Sequence, residues 1–189
     1  MIRLLLLLAL GARAQTSCLA RVAGELEALR PSFPRLNGLN LALEPFESDE
    51  DFLQARPQGF WKRPEDRVYV VRVGGRLCAD PPPPEAEKAI LLHELAHLDA
   101  YAAMGRRALL SLGWAYLVSP GGARVESFEK SADDAVVRLG RAEDLALYRE
   151  WLYPRVSPAA AARKRRLYRT PEELRRPLTE TAASGRISP

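Results

Sequence analysis

Histidine occurs only twice in these 189 residues, and both copies fall within five positions, in Ala89-Ile90-Leu91-Leu92-His93-Glu94-Leu95-Ala96-His97-Leu98. No other feature restricts the fold as strongly. The leucines and alanines make a helix that is apolar on nearly every face, which suits the interior of a domain. On such a helix residues i and i+4 lie one above the other, so both imidazoles can aim at one ion. Glu94 projects about 100° from His93, within reach of a water on that ion. Buried imidazole and carboxylate groups are costly unless paired or metal-bound, so chance placement on an amphipathic helix is the weaker reading. The pattern is that of two neutral imidazole ligands with a carboxylate as general base.

A zinc ion that keeps one position open for water needs a third protein ligand. Position 103 is Ala and no histidine remains, so that ligand has to be a carboxylate. Glu129, 32 residues past His97 in Phe128-Glu129-Lys130-Ser131-Ala132-Asp133-Asp134, is the best candidate. The Gly and Pro breaks before it can turn the chain back toward the histidines. Asp133, one helical turn later, is spaced to accept a proton from the far nitrogen of a ligating imidazole. Glu126 is the alternative ligand, less favoured because it has no Asp four residues on.

The rest of the chain supplies a mainly helical domain with a small antiparallel sheet, an α+β fold packed on the central helix. Leu19 to Arg30 repeats apolar residues at helical spacing and stops at Pro31. Leu39 to Leu43 alternates as a strand does, while 52–67 reads as irregular, with Phe60 and Trp61 as packing anchors. Val68 to Val73 is the clearest strand, and Gly74-Gly75 predicts a hairpin turn into Arg76 to Ala79. That strand has a free edge to offer an extended peptide, or it simply belongs to a sheet on the helix. Pro84, Glu85 and Glu87 suit the first turn of the central helix, which runs to about Met104. Ala108 to Val118 reads as a core or interfacial helix too short to cross a membrane. Helices over Arg124 to Leu139 and 142–152 follow.

His93-Glu94-Leu95-Ala96-His97 followed by Glu129-x-x-Ala132-Asp133 resembles the gluzincin zinc metallopeptidases. It is closest to the CAAX-processing and heat-shock membrane proteases and the penicillin-sensing receptor peptidases. The likeness covers roughly residues 85–140. It implies a zincin-like fold and a hydrolase with zinc held by His93, His97 and Glu129, Glu94 as base, and Asp133 beside the ligands on His93. Those families carry several transmembrane helices and often a later histidine that stabilises the transition state. Here no span follows the N-terminal segment and no histidine remains, so a Tyr or Arg has to hold the oxyanion. Tyr101, Tyr148 and Tyr153 are the candidates.

Met1-Ile2-Arg3, the apolar run Leu4 to Leu10 and Ala12-Arg13-Ala14 read as a signal peptide over 1–14. Its removal leaves about 175 residues, enough for one domain with a core, and lowers the net charge from +4 to roughly +2. The expected divisions are a metallopeptidase-like domain over 15–154 and a basic C-terminal helix and tail over 155–189. A secreted or periplasmic location follows, and there Cys18 and Cys78 can form one disulfide or stay as thiols. Gln15-Thr16-Ser17 lacks the aliphatic residue of a lipobox, which argues against a lipid anchor on Cys18. From Arg155 to Arg186 nine basic residues face three glutamates, a run suited to an anionic surface or to a solvated helix face. Only Tyr168 interleaves it, which argues against nucleic acid. The competing functions are peptide-bond hydrolysis, a metal-stabilised binding or assembly module without catalysis, and a surface-binding protein acting through that basic segment.

Overall fold

The computed structural model describes residues 2–176, with side chains from 15 onward. The side chains of the expected signal segment, the expected disordered tail over 181–189 and Arg186 lie outside the described residues. Helix α1 (Ile2–Leu29) contains the helix expected from Leu19. It turns Cys18, Val22 and Leu26, each four residues apart, onto one buried face. It gives way to a 3-10 turn at Arg30–Ser32, where Pro31 cannot continue the hydrogen-bond ladder.

Three strands, β1 (Asn40–Phe46), β2 (Leu53–Gln58) and β3 (Val68–Gly74), form one sheet in the order β1-β3-β2. The β-branched run of β3 takes the centre, where all of it except Val68 and Arg72 is buried. β1 lies parallel to β3, Asn40 opposite Val68 and Phe46 opposite Gly74. β2 lies antiparallel, Leu53 opposite Val73 and Gln58 opposite Val68. The sheet is therefore mixed, not wholly antiparallel as expected. The chain crosses from one edge to the other and returns through the middle, which sends β1 and β3 the same way. Residues 53–58 form a strand despite the irregular reading, because Pro57 is tolerated on an edge. Gly74-Gly75 makes no hairpin: Gly75–Ala79 is the short helix α2. Leu77 is fully buried there, and Cys78 is bonded to Cys18 of α1. Since β3 is paired on both sides, the free sheet edge beside the helices belongs to β2.

Helix α3 (Pro84–Ala103) is the centre of the molecule, with 14 of its 20 residues buried, so that α1, α5, α6 and β2 can all pack on it. Here α4 is Arg106–Val118, α5 is Ala123–Arg138 and α6 is Ala142–Leu152. The C-terminal carbonyls of α3 at Tyr101 and Met104 accept from the buried Arg67 guanidinium at 3.3 and 2.8 Å, a cation at the negative end of the helix. Gly140, at φ 76, takes the left-handed turn between α5 and α6 that other residues resist. Helices α7 (Pro158–Leu167) and α8 (Pro171–Leu174) fold back on α5 and α6, and Leu174 joins the core. Among the described residues, five of the eight basic ones of this segment are in ion pairs: Arg155, Arg163, Lys164, Arg169 and Arg175. The fold is α+β and mostly helical. Among the described residues no helix is long and apolar enough to cross a membrane.

Candidate metal centre

His93 and His97 stand one turn apart on α3, their rings edge to face with centroids 4.6 Å apart. Their Nε2 atoms approach to 3.0 Å. The buried stripe of α5 packs on α3 and brings Glu129 between them. Its Oε2 lies 2.9 Å from His97 Nε2 and 3.5 Å from His93 Nε2. Separations of 2.9, 3.0 and 3.5 Å are those of donor atoms that could share one small divalent ion. Among the described residues these three side chains form the group of potential donors close enough to share a metal ion. All three are buried. Glu126, the other carboxylate considered, pairs with Lys130 at 2.8 Å and stays outside the group.

A second set of contacts holds the donors in place. Asp133, four residues after Glu129 and on the same face of α5, brings Oδ1 to 2.8 Å from His93 Nδ1, although without full hydrogen-bond alignment. Arg149 of α6 donates to the same oxygen at 2.8 Å, and the Arg169 backbone N–H donates to Oδ2 at 2.7 Å. Tyr116 of α4 donates to Glu129 Oε1 at 2.5 Å, which leaves Oε2 to face the histidines. Phe128 packs against the His97 ring at 4.7 Å.

The charges of this cluster are unbalanced in a telling way. Glu94, Glu129 and Asp133 are three buried carboxylates, and Arg149 is the one buried cation beside them. With neutral imidazoles the formal sum is two negative charges, the amount that a divalent cation neutralises. Burial pushes the Glu94 carboxyl up, and the neighbouring Glu129 adds to that against the pull of both histidines. For Glu129, burial is outweighed by His97 and His93, and its carboxyl falls well below the ordinary range. His93 is lowered by burial, but contacts with Asp133 and Glu129 outweigh this and raise it to about 9.

The donor atoms open into a cleft of about 380 Å³, with Glu94 on its wall and β2 residues 53–56 along one side. Of the tyrosines considered for the oxyanion, Tyr101 lines this cleft. Tyr148 is buried elsewhere, stacked on Trp151 at 5.6 Å, and Tyr153 packs under the Arg165 guanidinium at 4.3 Å. Two other tyrosines do line the cleft, Tyr116 and Tyr168, the latter edge-on to His93 at 5.7 Å. These two and Arg149 escape a reading of the sequence. Each is distant from the motif along the chain, and a lone Tyr or Arg on an amphipathic helix carries no signal of its placement. No family model, curated protein or solved structure matches the chain, which leaves the geometry of this cluster as the ground for its function.

Proposed function

We propose that this chain is a zinc-dependent endopeptidase of the gluzincin type that works outside the cytoplasm. The observation that carries this reading is the convergence of His93 Nε2, His97 Nε2 and Glu129 Oε2 on one point in a cleft that also holds the Glu94 carboxyl. Two imidazoles and one carboxylate suit zinc in a catalytic site, where three protein ligands leave a fourth position open. The Cys18–Cys78 disulfide favours an oxidising compartment. A purely structural metal site has no use for Glu94, whose burial costs stability.

A bound zinc ion would supply Lewis acidity to the scissile carbonyl and lower the pKa of water toward about 7. Glu94 then accepts a proton from the attacking water on a carboxylate oxygen and delivers it to the leaving amine nitrogen. Burial raises its carboxyl above the ordinary range, which makes the carboxylate a stronger base. The Tyr101 and Tyr168 phenols are kept protonated by burial, so either can donate its O–H to the oxyanion. The outer edge of β2 offers backbone N–H and C=O groups along the cleft to an extended peptide. Asp133 holds the His93 ring in orientation through Nδ1.

The test is elemental analysis and a protein-digestion assay on the purified protein, run beside two variants. Glu94→Gln is expected to keep zinc and lose hydrolysis, while His97→Ala loses both. Digestion persisting in Glu94→Gln at the wild-type rate would remove the mechanism. Zinc without digestion in the wild type would favour a metal-stabilised binding module.

A further inference from the structure

Six of the eight exposed large apolar side chains among the described residues sit on α4 and the loop after β2: Phe60, Trp61, Leu110, Trp114, Leu117 and Val118. Trp114 is 66 % exposed and Leu117 79 %. Phe60, Leu110, Trp114 and Leu117 line one apolar groove of about 370 Å³, and the Phe60 and Trp61 rings meet at 5.0 Å, so most of this surface is continuous. Helix α4 gives only Leu109 and Leu112 to the core. A contiguous apolar face of this kind marks an interaction site.

The chain segments that carry the face are basic. From Ala100 to Val125 the sequence contains no Asp or Glu, while Arg106, Arg107 and Arg124 are all exposed. Lys62 and Arg63 are exposed as well. Arg67 donates to the Lys62 carbonyl at 3.2 Å and to the Met104 carbonyl at 2.8 Å, which fixes that loop beside the first turn of α4. Glu65 and Asp66, on the 3-10 turn after the loop, and Glu126, two residues past Arg124, are the acids close to these cations in sequence, three against five, and Glu126 is paired with Lys130 at 2.8 Å. The C-terminal basic segment differs, since most of its cations are committed to ion pairs within the protein.

We propose that α4 and the loop after β2 form a docking face for an anionic bilayer surface. Helix α4, at 13 residues, is too short to span a bilayer and lies in its plane. Its Trp and Leu side chains enter the headgroup boundary while the surrounding Arg and Lys meet lipid phosphates. A second copy of the chain fits this face less well, because a two-fold contact would set the same cations against each other. An uncharged apolar peptide would leave the cations unused. The groove shares Tyr101 and Tyr116 with the cleft, so docking brings the cleft mouth close to the lipid surface.

The test is co-sedimentation of the full chain with phosphatidylcholine vesicles, with and without phosphatidylglycerol, and it reads no enzymatic activity. Binding is expected on the anionic vesicles, weakening as salt rises, with a blue shift of tryptophan emission. Trp114→Ser/Leu117→Ser is expected to weaken it at least about tenfold, and Arg106→Gln/Arg107→Gln about fivefold per charge on anionic vesicles alone. These four positions are exposed and outside the metal cluster, and circular dichroism checks that each variant is folded. The proposal is overturned if neither vesicle binds the wild type, or if both double variants bind as the wild type does. Sedimentation velocity showing a dimer that Trp114→Ser/Leu117→Ser dissociates would assign the face to a second copy instead.

Discussion

Asp133 and Arg149 are the sharpest place to perturb this protein, because both are charged and neither meets solvent. Their side chains are 0 % and 2 % exposed and touch at 2.8 Å. Replacing Arg149 with Met keeps most of the volume but leaves the carboxylate with only His93 and one backbone N–H. Breaking a buried pair from one side costs about 3–5 kcal/mol. Asp133→Asn keeps the shape but has one oxygen where the carboxylate has two, so either the Arg169 N–H or the Arg149 guanidinium loses its acceptor and the guanidinium loses its counter-charge, at a similar cost. The double variant removes both charges, so its cost should fall short of the sum by about 2 kcal/mol or more. Urea denaturation of the metal-free protein at neutral pH gives the three values, provided that the slopes agree. Burial alone would raise the Asp133 carboxyl, but Arg149 and His93 outweigh it and the net shift is downward. Its contribution is therefore present above the unfolded value near pH 4 and lost as pH falls through the lower folded value. The same variants should bind zinc roughly 10–100-fold more weakly, since Asp133 orients His93. Costs that add within about 0.5 kcal/mol would refute the coupling. Unchanged zinc affinity in both single variants would refute the orienting role.

Tyr116→Phe leaves Glu129 Oε1 without its O–H donor, a loss of about 1–3 kcal/mol that should reappear as weaker zinc binding in competition with a chromophoric chelator; equal affinity would show that the phenol does not position the ligand. His93 is raised to about 9, so in the metal-free protein its contribution to stability is complete below about pH 6.5 and is lost as pH climbs through 9. Zinc requires the neutral ring, so its affinity should rise about tenfold per pH unit across that window, and a flat profile would contradict the shift. Cys18→Ser/Cys78→Ser opens a cross-link spanning 60 residues and should lower stability by up to about 4 kcal/mol, read from the urea midpoint.

Much of the fold was legible because it is written locally. The apolar run around His93 reads as a buried helix, the β-branched run at Val68 as a strand though not as the central one, and Pro31, Gly105 and Gly140 mark where helices stop. Spacing alone put both imidazoles on one helical face, and the i+4 step from Glu129 to Asp133 is equally local. What the sequence left undecided depends on contacts between segments far apart in the chain. Leu53-Gln-Ala-Arg-Pro-Gln58 has no strand propensity worth reading, and becomes β2 only because β3 presents an unpaired edge. The direction of β1 relative to β3 depends on the route of the chain across the sheet, which no residue pattern encodes. Gly75 to Ala79 coils because Leu77 has a core to enter and Cys78 a partner on α1. Arg149, Tyr116 and Tyr168 look like ordinary surface or packing residues until tertiary structure sets them around Asp133, Glu129 and His93. Local chemistry named the atoms able to hold a metal; only the packing of α4, α5 and α6 against α3 decided which groups surround them, because burial and charge pairing are properties of the assembled interior.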